Sequence, residues 1–408
     1  MRIGPYQLTW GEVSGAFADL GVLIPLEASL IAVNGINPTS TLLGVGIAYI
    51  AAGLYFRIPM PVQPLKAFSV IAIAQALSPS VIAAGALLMS LSLFLLASTR
   101  TVEYLTRAVP LPVVRGVQFA LGIVLVRNAL GMVLSKPFLV GGDGQRYVDL
   151  AGLDISAGLL LGIGSLVLLL LLLWRTRIPG SVVVAALGVL VGIAVVDNGG
   201  HFALGPVSVG LGFPKLTDFP TALVVLVIPQ LPLTLTNSVI ATVDTAHTYY
   251  GKRAARVTPV RTSLSVAAGN LWAGFAGGLP MCHGSGGLTA HYRMGARTPA
   301  ATAITGTVLI LVALLFGRSA LEVRSLMPYA TLGALLFYVG LQHLLLGLKI
   351  KGLPYLAVVA IVGAVAAAPF GNLAIGAGVG MAVYWAARWI TAVAEKRRRR
   401  AADLSTRV

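Results

Sequence analysis

Charged side chains are scarce in this chain. Only 10% of its 408 residues are Asp, Glu, Lys or Arg, whereas soluble domains carry about a quarter. Hydrophobic residues make up 57% of the chain, and the mean hydropathy is +0.90. A soluble fold of this size needs polar surface to cover its core, but a surface that faces lipid needs none. The composition therefore predicts a protein embedded in a membrane.

Acidic residues and cysteine are scarcer still. The 13 Asp and Glu residues are scattered, and the 5 histidines show no metal-ligand spacing with a carboxylate close in sequence. A membrane-embedded enzyme needs clustered acids or a nucleophile beside its base, so we expect no enzyme, no bound metal and no cofactor. The single cysteine, Cys282, excludes a disulfide framework within the chain.

The charges that are present are mostly positive, with a net charge of +16. The basic run 396–400 could suggest a nucleic-acid partner, but most Lys and Arg lie on one side if the apolar segments alternate across the membrane from an inner N-terminus. We therefore expect lipid headgroups rather than nucleic acid beside these charges. The pattern predicts a multi-pass protein of the inner (plasma) membrane with both termini cytoplasmic. The polar start MRIGPYQLTWGE predicts no cleaved signal peptide.

Two apolar stretches, 57–76 and 278–297, differ from the others that could cross the bilayer. Each opens with prolines or glycines and carries polar side chains at membrane depth. Nonhelical backbone at that depth survives only where it is buried in protein or lines a polar cavity. Both stretches should therefore point inward, as extended chain followed by a half-helix. The half-helices are expected to start near Leu65 and near Leu288.

The two halves of the chain contain an internal sequence repeat. Motifs and prolines recur in the same order, which pairs 24–27 with 231–234, Pro61 with Pro280, Pro79 with Pro299, and Pro112 with Pro328. Broken helices at corresponding positions are typical of inverted-repeat transporters. We expect a first repeat over 1–196, an extracytoplasmic connector over 197–218, a second repeat over 219–392 and a basic cytoplasmic tail over 393–408.

The half-helix N-termini predict an anion site. Helix dipoles and free backbone amides favour negative charge there, and Lys66 would add a full positive charge. Gln63, His283 and Ser285 could donate hydrogen bonds, and Gly284, Gly286 and Gly287 would let the backbone approach the ligand. Alternatives stay open, since Lys66 could extend to the membrane surface, His283 could be a hydrogen-bonded core residue and the glycines could serve packing.

The neighbouring segments contribute further polar residues. Gln230 and Asn237 are seven apart and share a helix face, although ordinary hydrogen bonds between helices would also explain them. Asp19 and Glu27 share a face in the first segment. An acid beside an anion pathway is a poor ligand but a plausible proton carrier, so one of them could couple transport to protons. A structural salt bridge or helix cap is the alternative.

Four motifs carry a resemblance to a known family: GEVSGAFADLG, PMPVQPLKA, IPQLPLTLTNS and LPMCHGSGGLTAHYRMGART. Together they resemble the molybdate transporter family, which is related to the sulfate permeases. The resemblance implies an all-α polytopic membrane protein of about 14 transmembrane elements as 7+7 inverted repeats, similar to sulfate and uracil permeases. It also implies a core and a gate domain, each drawn from both repeats. The substrate site is expected where the third and tenth elements meet, with Gln63, 283–287, Gln230 and Asn237 as binding candidates. A cytosolic STAS domain is not expected after the last helix.

The predicted function is secondary active transport of a tetrahedral oxyanion by alternating access. Molybdate is the expected substrate and H⁺ the candidate coupling ion, and the fold leaves room for a homodimer. Alternatives are a sulfate or general oxyanion permease, a nucleobase permease and a passive anion channel.

Overall fold

A computed structural model describes residues 2–3, 6–7, 9–104, 110–140, 142, 144–150, 153–175, 180–195, 203–367 and 373–405. The protein is mostly helical, and within these ranges six helices are long and apolar enough to cross a membrane. Shorter apolar helices, the broken elements and a long terminal helix complete the membrane region. The expectation of an all-α polytopic membrane protein is confirmed at this level.

The first half begins with a small hairpin and continues as helices. Its elements are β1 (Arg2–Ile3), β2 (Tyr6–Gln7), α1 (Trp10–Ala16), α2 (Leu20–Ser29), α3 (Pro38–Phe56), β3 (Gln63–Pro64), α4 (Lys66–Ala74), α5 (Pro79–Ser98), α6 (Leu111–Leu134), β4 (Tyr147–Leu150), β5 (Leu153–Ser156), α7 (Ala157–Arg175) and α8 (Gly180–Val195). The starts of α3 and α5 follow directly from sequence, since Asn37 and Ser78 cap their first turns and proline follows each cap.

The second half starts with one long helix. Its elements are α9 (Asp218–Ala254), α10 (Pro259–Ala276), β6 (Met281–Cys282), α11 (Ser285–Arg293), α12 (Ala300–Leu326), α13 (Tyr329–Gly347), α14 (Leu353–Ala367) and α15 (Leu373–Ser405). The predicted connector is described from residue 203 onward, and the predicted tail continues α15 to Ser405 without a helix break.

The two broken elements meet in the middle of the fold. β3 and β6 pair antiparallel, with Gln63 opposite Cys282 and Pro64 opposite Met281. The backbone N–H of Leu65 donates to the carbonyl of Pro280 at 2.9 Å. This short ladder satisfies backbone groups that lipid could not satisfy. It also places the starts of α4 and α11 beside each other.

The remaining helices surround this ladder in pairs. α3 packs along α12, α5 along α10, and α6 along α13, while α14 and α15 pack against each other and against α6. Small residues allow the close approaches. For example, the carbonyl of Gly306 lies 2.7 Å from where a Cβ on Gly46 would be, so α3 and α12 touch backbone to backbone.

α9 is not a regular α-helix. It contains two π-helical stretches, Leu223–Val227 and Thr234–Ala241, around an α-helical turn with a proline inside it at Pro232. Proline has no N–H to donate, and wider turns of this kind often mark functional sites. In this segment they lie on either side of Gln230.

The structure corrects one predicted boundary. α11 starts at Ser285, three residues before the expected Leu288, because Gly284 takes extended backbone geometry and serves as its N-cap. Ser285, Gly286 and Gly287 therefore form the first helical turn rather than a loop.

Candidate anion site

A small cavity of about 40 Å³ lies beside the paired strands. Three residues predicted as site residues line it: Lys66, Gln230 and Asn237. Ser238 and Cys282 line it from the same side, and Gln118, His343 and Leu346 close it from α6 and α13. The cavity therefore lies between the broken elements and a second group of helices.

The N-terminus of α4 faces this cavity with its positive end. Lys66 is the first residue of the helix. Within the described residues no acidic side chain lies at ion-pair distance from it, but the Asp19 carboxylate is close enough to interact with its charge. The backbone N–H of Phe68 donates to Gln230 Oε1 at 2.9 Å, and Gln230 Nε2 donates to the hydroxyl of Thr234 at 2.9 Å. Gln230 is thus held in place at both ends of its amide, while Lys66 brings a positive charge to the cavity.

The N-terminus of α11 has different neighbours. The Ser285 hydroxyl donates to Asn237 Oδ1 at 3.1 Å, which joins α11 to α9. A Cβ placed on Gly287 would lie 2.5 Å from Asp19 Oδ2, so the Asp19 carboxylate sits directly against the first turn. A buried carboxylate therefore already occupies the positive end of this helix.

Gln63 and Asp19 form a buried pair behind the cavity. Gln63 Nε2 donates to Asp19 Oδ1, and the Tyr49 hydroxyl donates to Asp19 Oδ2 at 3.3 Å. Gln63 also packs against Gly284, where a Cβ would collide with its side chain. The structure thus places Gln63, Gly284 and Gly287 around Asp19 rather than on the cavity wall.

Glu27 lies apart from this pair. It is buried, and within the described part of the chain its Oε1 atom has no hydrogen-bond partner. Of the two acids expected to share a helix face, only Asp19 contacts a broken element through a hydrogen bond.

His283 faces away from the cavity. Its Nδ1–H donates to the carbonyl of Pro61 at 2.7 Å, and its Nε2 accepts from the Ser265 hydroxyl at 2.9 Å. Successive residues of extended chain point to opposite sides. With Cys282 on the cavity wall, His283 points to the back of the strand pair, so the alternative of a hydrogen-bonded core histidine describes its contacts.

Sequence reasoning missed the two polar residues that α6 and α13 bring to the cavity, Gln118 and His343. Arg115 donates to Gln118 Oε1 at 2.9 Å, which leaves the Gln118 amide N–H groups free to face the cavity. His343 donates from Nδ1 to the carbonyl of Val339 at 2.8 Å. Each is a polar residue in an apolar helix, which was the available signal. Within the described ranges, no three His, Cys, Asp or Glu side chains group as metal ligands.

These features define a class: a polytopic membrane protein with two discontinuous helices that start beside each other, one of them at a polar cavity, as in many transporters. Residues 11–125 and 222–343 match the family described as molybdate transporter of MFS superfamily. The chain is 31% identical over 368 residues to molybdate transporter 2 of Arabidopsis thaliana, covering 81% of this chain and 77% of that protein. It is 29% identical to molybdate transporter 1 of Chlamydomonas reinhardtii, covering 82% and 83%. The chain belongs to the molybdate transporter family, as its motifs predicted.

Solved structures show which fold the family uses here. The transmembrane domain of the cyanobacterial bicarbonate transporter BicA is similar with a TM-score of 0.65 and 17% identity, covering 91% of this chain and 96% of that one. The inward-facing structure of murine Solute Carrier 26 family member A9, an anion transporter, gives a TM-score of 0.68 and 16% identity, covering 95% and 70%. MFS transporters are built from two parallel halves of six helices each. The fold seen here, with its paired half-helices, differs from that architecture, although the family description contains the term MFS.

Proposed function

We propose that this protein is a secondary active transporter of a tetrahedral oxyanion, with molybdate as its substrate. The observation that carries the proposal is the N-terminus of α4. There a helix dipole and the Lys66 ammonium face a cavity whose other polar groups are neutral. Amide and hydroxyl groups can donate to anion oxygens, and the ammonium offsets their charge. The names of the relatives agree with molybdate as the cargo.

An inverted arrangement of 7+7 elements is the second part of the proposal. If each repeat contributes about seven elements, α3 corresponds to α10 and α5 to α12. The packing of α3 on α12 then has its counterpart in the packing of α10 on α5, and both contacts occur. In the same scheme α6 corresponds to α13, which is its main partner. α1–α5 and α9–α12 form the core, and α6–α8 and α13–α15 form the gate.

Alternating access follows from where the cavity lies. Lys66, Gln230 and Asn237 belong to the proposed core, and Gln118 and His343 belong to the proposed gate. A rigid-body movement of the core against the gate would therefore open the cavity to one side of the membrane and then to the other. Both termini would be cytoplasmic in the plasma membrane. The homodimer stays a prediction.

Proton coupling through Asp19 is the third part of the proposal. Asp19 is buried and joined to the strand pair through Gln63 and to the α11 N-terminus at Gly287. A proton on this carboxylate would change the charge behind the anion site without occupying it. Glu27 is the second candidate, and it lacks these contacts.

The test is uptake of radiolabelled molybdate into proteoliposomes under an inward proton gradient, with empty liposomes and a protonophore as controls. Unlabelled tungstate, sulfate and uracil serve as competitors. We expect gradient-dependent uptake that tungstate blocks at far lower concentration than sulfate. Equal competition by sulfate would indicate a general oxyanion permease. Uptake that survives the protonophore unchanged would indicate a passive channel or another coupling ion, and competition by uracil alone would refute the anion site.

A further inference from the structure

A second and larger cavity lies on the other side of the strand pair. It is a groove of about 460 Å³ between α3 and α10, lined in part by the exposed side chains of Ile47, Tyr55 and Leu264. We propose that this groove binds one anionic phospholipid, with its phosphate at Arg261 and one acyl chain lying along the groove.

The size and shape of the groove fit an acyl chain. Its volume is within the range of about 300–1,000 Å³ that is usual for small-ligand pockets. It runs along α3 from Tyr55 to Gly44 and along α10 from Arg261 to Trp272. Eleven residues of helix rise about 16 Å, which matches half of the roughly 30 Å hydrocarbon core, or one leaflet. The groove is therefore as long as one lipid tail.

Its two ends differ in charge. Arg261 is exposed at one end, and Arg256 donates to the carbonyl of Tyr55 at 3.0 Å beside it. With a cytoplasmic N-terminus, the chain crosses outward before α3 and returns along α3, so this end next to Tyr55 is cytoplasmic, where anionic lipids concentrate. Trp272 closes the other end, and its indole N–H is already bonded to the carbonyl of Ser40 at 3.0 Å. The Arg261 end thus suits a lipid phosphate, and the Trp272 end suits the terminal methyl group of an acyl chain.

The lining between these ends suits hydrocarbon. It consists mainly of small and apolar side chains, among them Ala51, Ala268 and Gly269. The polar pair Ser265 and His283 is satisfied internally, because the hydroxyl donates to the ring and the ring donates to Pro61. No acidic residue is among the described residues that line the groove. A polar solute would find few partners here, whereas an acyl chain needs none.

A bound lipid tail would pack against the strand that carries the anion site. Met281 and Cys282 lie on the floor of the groove, and Cys282 also lines the anion cavity. α10 holds the same strand through Asn270, which donates to the carbonyl of Met281 at 2.7 Å and accepts from its N–H at 3.2 Å. A lipid tail would therefore fill the space between α3, α10 and the strand on which the anion site is built.

The experiment uses the full chain, purified and delipidated in detergent. Phosphatidylglycerol and phosphatidylcholine with identical acyl chains are titrated in, and thermal unfolding and native mass spectrometry follow binding. We expect one retained phosphatidylglycerol and a rise in the unfolding temperature of roughly 3–6 °C, with little effect of phosphatidylcholine. Ala268→Trp, which fills the groove, should abolish both effects. Arg261→Ala should weaken binding about tenfold, and Arg388→Ala, which removes an exposed arginine on α15, should not.

Equal stabilisation by both lipids would overturn the assignment of an anionic headgroup. Unchanged lipid retention in Ala268→Trp would overturn the groove as the binding place. A change of oligomeric state in that variant would instead assign the groove to a second copy of the chain. If Ala268→Trp does not yield monodisperse protein, Ala51→Trp fills the groove from the α3 side and decides the same question.

Discussion

The N-termini of the two half-helices, α4 and α11, both follow a residue in extended conformation, but they have different neighbours. In α4 the third residue of the first turn, Phe68, donates its N–H to the neutral amide of Gln230. In α11 the third residue, Gly287, lies against the carboxylate of Asp19. α4 also begins with a lysine, whereas α11 begins with a serine bonded to Asn237. The first end therefore stays positive, while the second is already compensated within the protein.

This difference between the two N-termini indicates where an anion should bind. Two symmetric positive ends would attract a dianion equally, but Asp19 would repel it from the α11 side. The anion is expected to lie nearer α4, at Lys66, and α11 contributes through Ser285, which holds Asn237 of α9 at the cavity. The following predictions test this asymmetry.

The largest effect is expected from Lys66→Ala. Loss of the Lys66 charge at the cavity should reduce molybdate uptake at low concentration by about 100-fold, since removing a partner of a desolvated charge costs several kcal/mol. The measurement is initial uptake rate in proteoliposomes, normalised to monodisperse protein. Lys215→Ala, at an exposed lysine outside the cavity, is the control and should leave uptake unchanged. Equal losses in both variants would show that long-range charge, not the site, is responsible.

A matched pair of glycine variants tests the α11 end. Gly287→Ala would place a Cβ 2.5 Å from Asp19 and should displace the carboxylate, whereas Gly286→Ala meets nothing within 4 Å. We expect roughly a tenfold loss of uptake for the first variant and less than about twofold for the second. Thermal unfolding should follow the same order. Similar behaviour of both variants would mean that Asp19 is not held against this turn.

Local chemistry explains what could be predicted from sequence. Three prolines within six residues, Pro59, Pro61 and Pro64, exclude a regular helix over this stretch, so the first broken element could be predicted without knowing its neighbours. Lys66 could also be recognised from the sequence, because it is a charged residue in an apolar segment. The predicted meeting of the two broken elements is seen in the pairing of β3 with β6.

The remaining features depend on packing. The orientation of His283 follows from the register of two short strands, and a shift of one residue would turn it to the cavity. Gln118 and His343 join the cavity because α6 and α13 pack there, which periodicity within one helix cannot reveal. The start of α11 at Ser285 depends on the extended geometry of Gly284, a residue compatible with helix or loop.

A smaller and more specific effect is expected from Asp19→Asn. The amide keeps the shape of the side chain but cannot carry the proposed proton, so uptake should fall only about threefold and lose its dependence on the pH gradient. The measurement compares uptake with acidic and with neutral external buffer. Glu27→Gln neutralises the other buried acid and should keep the dependence. If Glu27→Gln loses the dependence on the pH gradient and Asp19→Asn keeps it, Glu27 is the coupling acid. Asp19 would then serve only to neutralise the positive end of α11.

The smallest effect on transport is expected from His283→Ala, although this histidine lies next to the site in sequence. Its ring contacts Pro61 and Ser265 behind the strand pair, so its removal leaves buried polar groups unpaired and should lower the free energy of unfolding by about 1–3 kcal/mol. Uptake per folded molecule should stay within about twofold, because the cavity wall keeps Lys66, Gln230 and Asn237. Uptake and thermal unfolding measured on the same preparations separate the two effects. A large loss of molybdate affinity in stable protein would mean that the strand pair turns during transport and presents His283 to the anion, and the asymmetry between the two ends would then describe only one conformation.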